Sequence, residues 1–218
     1  MKAIILFIAC FSMSILSFSQ TNTFNIGIQG GPSISTISTK YDKKKFSDRD
    51  PSVVFMAGMF VQYNFSKNFA LRMDPGFEQK GYNLTYTFTD PSGNILGDYK
   101  TTSRFNYITV PILFRASVGN KINYFINAGP YIGFLLSEKF KNDYDNSITN
   151  NTKYYHTADI GITAGIGLAV PINERFSFSI ELRNNFGLYN ISKSEDPKIS
   201  VKTFSGNLLC GISYTLGK

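Results

Sequence analysis

The sequence predicts an all-β fold: an eight-stranded antiparallel up-and-down transmembrane β-barrel over residues 20–218, behind a cleaved N-terminal signal peptide over residues 1–19. Three observations carry that expectation. The first residues have the anatomy of an export signal. Apolar residues then alternate with small or polar ones in segment after segment, which is the period of a strand with two unlike faces. Finally, charges gather on the face that a soluble protein would turn into its core.

Lys2 supplies the positive start of the signal, residues 3–16 its apolar stretch, and Ser17-Phe18-Ser19 small residues for cleavage before Gln20. That stretch is too short for a membrane-spanning helix, and no later segment holds 18 uninterrupted apolar residues. Phe7-Ile8-Ala9-Cys10 is a poor lipidation site, with Phe where Leu is expected. Removal of the signal leaves Cys210 as the only cysteine, so the mature chain has no internal disulfide.

The first strand is expected over residues 23–34, where Phe24, Ile26 and Ile28 alternate with Asn25, Gly27 and Gln29. Residues 35–52 are polar, include Lys43-Lys44-Lys45, and read as a long solvated loop rather than a lipopolysaccharide contact. The second strand, residues 53–63, is apolar on both faces, and Met56 and Phe60 are expected to fill one end of the interior. In the third, Leu71, Met73 and Phe77 face one way and Arg72, Asp74, Glu78 and Lys80 the other. Four charges on one face cannot sit in an apolar core, but they suit a polar lumen if they pair.

Asp90-Pro91-Ser92-Gly93-Asn94 is a turn signal. The fourth strand, residues 104–118, sets Ile108, Val110, Ile112 and Phe114 against Tyr107, Thr109, Leu113 and Arg115. The fifth, residues 123–137, sets Tyr124, Ile126, Ala128, Ile132 and Phe134 against Phe125, Asn127, Gly129, Tyr131 and Gly133. A polar loop is expected over residues 139–153. The sixth and seventh strands form the clearest hairpin, residues 159–187, with Asp159, Glu181 and Arg183 on the polar face. Gly161, Gly165 and Gly167 would leave space inside a narrow barrel. Residues 192–198 form another loop, and the eighth strand, residues 200–216, carries Leu208, Cys210, Ile212, Tyr214 and Leu216 on one face.

Connections near residues 65, 120 and 173 are short, whereas those near 43, 92, 146 and 195 are longer and polar. Outer-membrane barrels have short periplasmic turns and longer external loops. The long loops are therefore expected outside and both termini in the periplasm. Aromatic girdles are expected at the two membrane–water interfaces. Tyr63, Phe65, Phe69, Tyr124, Phe176 and Tyr214 would form one, and Phe88, Tyr99, Phe105, Tyr154, Tyr155 and Tyr189 the other.

The eight charges Arg72, Asp74, Glu78, Lys80, Arg115, Asp159, Glu181 and Arg183 are expected to form a structural network in the lumen. Eight strands leave a lumen just wide enough for side chains, so the charges should pair and plug it, with Met56, Phe60 and Tyr131 filling the rest.

Other classes fit poorly. The net charge of +7 comes without a basic helix or an aromatic–basic binding motif, so no nucleic-acid partner is expected. With a lone His156 and one mature cysteine, no metal or cofactor is expected. His156 with Ser137 or Ser103 and Asp159 could in principle form a hydrolytic set near the outer rim, but a single His beside scattered Ser and Asp is a coincidence of composition, and no enzyme is expected. A soluble barrel would be inside out, since one face collects the charges and the other is nearly uncharged.

Several stretches resemble the porin-like or PorT-like outer-membrane β-barrel family of Gram-negative bacteria. They are DPGFEQKGYNL from Asp74, YITVPILFRA from Tyr107, NYFINAGPYIGFLL from Asn123, GITAGIGLAV from Gly161 and FSFSIELRNNFGLYNIS from Phe176. Gly76 and Thr109 stand where the resemblance implies acidic residues. The ending Gly211-Ile212-Ser213-Tyr214-Thr215-Leu216 resembles the C-terminal signal read by the barrel-assembly machinery, with Leu in place of the usual aromatic and Gly217-Lys218 trailing. The family name does not settle a role; the chain is expected to be a monomeric integral outer-membrane protein with a structural or surface-binding role. Its partners would be outer-membrane lipid, lipopolysaccharide and, during biogenesis, the assembly machinery. A part in a secretion or gliding apparatus, with secretion-apparatus proteins as partners, and a narrow pore are the alternatives.

Overall fold

A computed structural model describes residues 22–42, 44–45 and 49–216 of the protein. The expected signal with Cys10, Lys43 and the trailing Gly217-Lys218 lie outside the described residues.

The strands in chain order are β1 (Thr23–Tyr41), β2 (Lys44–Lys45), β3 (Asp50–Asn64), β4 (Phe69–Met73), β5 (Gly76–Thr89), β6 (Ile95–Val118), β7 (Asn123–Asn142), β8 (Ile148–Asn150), β9 (Ala158–Pro171), β10 (Phe176–Gly187) and β11 (Ile199–Leu216). A 3₁₀ turn, Thr152–Tyr154, precedes β9. β4 and β5 are two halves of one wall strand, and β2 and β8 are short ladders on the loops. The wall therefore has eight strand runs among the described residues, each antiparallel to its sequence neighbour. β1 pairs with β11 on one side and β3 on the other, which closes the sheet and removes its free edges. No helix among the described residues is long and apolar enough to cross a membrane; a barrel crosses with strands.

The wall strand from Phe69 to Thr89 breaks at Asp74-Pro75 because Pro has no N–H to give the ladder. The backbone stays paired there: Asp74 N donates to Pro111 O at 3.1 Å, and Met59 N donates to Pro75 O at 3.0 Å. At the far end of β5, Asp90 accepts from Asn94 Nδ2, Asn94 N and Ser92 N, which holds its carboxyl below the usual range and fixes the turn. Gly93 takes φ +86° there, a conformation open to glycine without penalty.

The alternation resolves into an apolar outside and a polar inside. Ile28, Met59, Ile126 and Ile166 are each about three-fifths exposed, while Arg72, Asp74, Glu78, Lys80 and Arg183 are at most 2% exposed. At the short-turn end, outward aromatics form a girdle: Phe24 lies 4.9 Å from Tyr63, Phe176 5.1 Å from Tyr214, and Phe69 5.6 Å from Phe114.

At the other end the structure corrects three expectations. The polar stretches expected to be loops are largely strand: β1 continues to Tyr41, β6 begins at Ile95, and β7 runs on to Asn142. Ladder hydrogen bonds hold these extensions, and because the inward Ile37 stands among the polar inward positions Ser35, Thr101 and Ser103, no sustained apolar beat marks them. The second girdle is also not built as expected. Phe105 is fully buried inside the barrel, and Tyr155 packs on it edge-on at 4.8 Å. Phe88, Tyr99 and Tyr144 form a separate cluster out on the hairpin, with ring centroids 4.9–6.5 Å apart. Finally, the lumen at this end is apolar. Ile37, Tyr82, Phe105, Tyr107, Leu135, Ile191 and Val201 pack together as a buried cap.

Candidate functional site

The lumen is built from the inward positions of every wall strand, two residues apart along each. All eight charges expected there are buried in it: Arg72 and Asp74 at the β4 break, Glu78 and Lys80 on β5, Arg115 on β6, Asp159 on β9, and Glu181 and Arg183 on β10. Four are cations and four are acids, and their ion pairs fall into two groups.

Toward the short-turn end, Arg183 is the hub. Its Nε donates to Glu181 Oε1 at 2.8 Å, and its Nη2 donates to Glu181 Oε2 at 2.9 Å and Asp74 Oδ2 at 2.7 Å. Arg72 Nε donates to Asp74 Oδ1 at 2.6 Å, and Arg72 also bonds Gln29 Oε1. Arg115 reaches Glu181 at 4.0 Å and donates to Asn127 Oδ1 at 2.9 Å. Two rings support these cations by cation–π contact, Phe60 at 3.6 Å from Arg72 and Phe125 at 3.8 Å from Arg115.

Toward the cap, Lys80 Nζ donates to Asp159 Oδ2 at 2.8 Å and to Tyr131 Oη and Thr203 Oγ1, both at 3.2 Å. Glu78 lies 3.9 Å from Lys80 and accepts from Asn185 Nδ2 at 2.8 Å and Ser205 Oγ at 2.6 Å. Above it, Ser103 Oγ donates to the buried Glu138.

Sequence reasoning placed the eight charges on one face but did not assign the amides and hydroxyls that hydrogen-bond to them. Gln29, Asn127, Asn185, Thr203 and Ser205 all occupy inward positions. Their signal was parity: Asn185 is two residues beyond Arg183, and Asn127 alternates with Ile126 and Ala128. Inward glycines make room for the rings. A Cβ at Gly161 would stand 2.6 Å from the Tyr131 ring, and one at Gly167 would strike Phe125.

The possible hydrolytic set is not assembled. Asp159 is engaged with Lys80 and Thr203, Ser103 with Glu138, and Ser137 with Asn106. The His156 ring lies against Tyr189 at 5.7 Å. Among the described residues, no group of His, Cys, Asp and Glu could hold a metal ion. The short-turn mouth opens as a polar vestibule of about 330 Å³ whose floor includes Phe60, Arg72 and Arg115.

A closed antiparallel sheet with an apolar outer wall, an aromatic girdle and buried charges inside defines a membrane-spanning β-barrel. The chain belongs to the family described as the outer membrane protein beta-barrel domain, whose family model matches residues 18–193. It is thus an outer-membrane β-barrel protein. No curated protein matches the chain. Among solved structures it is similar to a major outer membrane protein of Thermus thermophilus, with 12% identity, a TM-score of 0.50, and coverage of 90% of this chain and 100% of that one. It is also similar to Neisserial surface protein A, with 11% identity, a TM-score of 0.48, and coverage of 88% and 96%. OprG of Pseudomonas aeruginosa gives 12% identity, a TM-score of 0.47, and coverage of 93% and 100%. At such identities the likeness concerns the fold.

Proposed function

We propose that this protein is a plugged, monomeric outer-membrane barrel with a structural or surface-binding role, secreted behind a signal over residues 1–19, and not a pore or an enzyme. The observation that carries the reading is that buried bonds cross the lumen between walls. Lys80 on β5 reaches Asp159 on β9 and Thr203 on β11, and Arg183 on β10 reaches Asp74 at the β4 break. With the apolar cap above them, these bonds leave the lumen little room for solute. The surface offered to the outside is then the set of long hairpins, with both termini in the periplasm. A PorT-like part in a secretion apparatus is the competing reading, and stable co-purification with a secretion complex from native membranes would favour it.

Two experiments test the proposal. Proteoliposomes carrying the protein should swell in small sugars no faster than protein-free vesicles; swelling at the rate given by a general porin would overturn the plug. On intact cells, tags near Lys44, Asn146 and Asp196 should be reached by an impermeant label, and tags near Asn120 and Asn173 should not. The reverse pattern would invert the barrel.

A further inference from the structure

We propose that Arg104 and Lys139 form a binding site for the phosphate of a lipid headgroup, in the leaflet that meets the long hairpins. The proposal rests on the barrel spanning a bilayer, and not on the plug.

Arg104 on β6 and Lys139 on β7 are directly opposite in the ladder, and both are exposed. They alternate with Phe105 and Glu138, which point inward, so both cations stand on the outer wall. Like charges directly opposite each other in a sheet repel and destabilise it. Among the described residues, no acidic side chain on that face offsets the repulsion. Among the described residues, neither cation makes an ion pair, and Glu138 is turned into the lumen against Ser103. Their outer ladder neighbours are Gly81 beside Arg104 and Asn150 beside Lys139. The next basic residue up β7, Lys141, is taken by Asp143 at 2.9 Å. Below the pair, the wall carries a neutral chain in which Gln79 Nε2 donates to Asn106 Oδ1 at 3.0 Å and Asn106 Nδ2 to Ser137 Oγ at 2.9 Å.

The height of the pair identifies the ligand. The outward apolar run of β7 extends from Tyr124 to Leu136, and Lys139 follows it. At about 3.3 Å per residue, that run is roughly 40 Å along the strand. A tilt of about 40° reduces it to about 30 Å across the membrane, comparable with the apolar band of about 25 Å plus its aromatic borders. Arg104 and Lys139 therefore stand at headgroup level, immediately above acyl chains. Directly opposed residues have Cβ atoms about 5 Å apart, so one phosphate can accept charge-assisted bonds from both side chains. Such a ligand turns the repulsion into an attraction. A lipid-borne phosphate is favoured over a soluble one because its acyl chains rest on the apolar wall below.

The test uses the full mature chain in nanodiscs of the phosphate-free glycolipid digalactosyldiacylglycerol, with or without a small fraction of lipid A carrying both phosphates. Native mass spectrometry reads bound lipid and a thermal melt reads stabilisation. The wild type should retain diphosphorylated lipid A at least about tenfold more than dephosphorylated lipid A, following the bond difference between charged and neutral acceptors. The preference should vanish in R104Q/K139Q. Millimolar inorganic phosphate should not displace the lipid. Equal retention of both lipids, or full retention by the double variant, would overturn the site. Displacement by free phosphate would reassign it to a soluble anion. Both substitutions lie on the outer surface, and heat-modified gel mobility confirms that the variant is folded. A second variant, R104E/K139E, should reject the phosphorylated lipid outright; if it binds as wild type does, the proposal fails. Nanodiscs present the lipid in both leaflets, so the outcome does not depend on how the barrel is oriented in the cell, nor on whether its lumen conducts.

Discussion

Replacing Arg183 with Met should lower the stability of the folded barrel by about 3–5 kcal/mol, the usual consequence of removing one partner from a buried ion pair. The expected loss is large because Arg183 joins Glu181 to Asp74 through three bonds of 2.7–2.9 Å. Without it, both carboxylates stay buried. Asp74 keeps Arg72 and Gln29, while Glu181 keeps Asn127 and a more distant Arg115. Arg183→Lys should give an intermediate loss, because a single ammonium cannot reproduce the planar fork that serves two acids. Adding Glu181→Gln to Arg183→Met should recover part of the stability by removing one orphaned charge. Equilibrium unfolding in guanidinium from lipid vesicles measures all three. A loss below about 1 kcal/mol for Arg183→Met would mean that water screens the network as it does at a surface.

The second large effect is expected on the outer wall. Ile166 lies in the middle of the outward apolar run of β9 and is 61% exposed in the isolated molecule. Ile166→Arg should cost about 2–4 kcal/mol, the range for a basic residue at the bilayer midplane. The same change at Phe176, in the girdle at the start of β10, should cost far less because its side chain can reach the interface. Comparable small losses at both positions, by the same unfolding measurement, would place Ile166 in water.

These two expectations mirror how legible the chain was. Wherever one face met lipid and the other the lumen, the beat of two located each strand and put Arg72, Asp74, Glu78, Lys80, Arg115, Asp159, Glu181 and Arg183 on the inside. The same beat reads Ile166 as outward and Gly165 and Gly167 as inward. The signal failed beyond the membrane. Residues 35–41 and 95–103 continue β1 and β6, but polar residues on both faces erase the contrast that periodicity needs. The cap was illegible for a different reason. Phe105 and Tyr155 have the composition of a girdle, and only tertiary placement decides whether such a ring faces lipid or lumen. Pairing was also beyond reach: parity says that Lys80 and Asp159 share an interior, but not that they meet across it at 2.8 Å.

Single-channel recording of the purified protein in planar bilayers tests the central claim most directly. The ion-paired lumen beneath an apolar cap predicts no sustained conductance in the wild type. It also predicts that Lys80→Ala, which opens the layer between Tyr131 and Thr203, is the variant in which brief openings begin. Stable, reproducible conductance in the wild type, comparable with that of a general porin and lost when the protein is left out, would contradict the account.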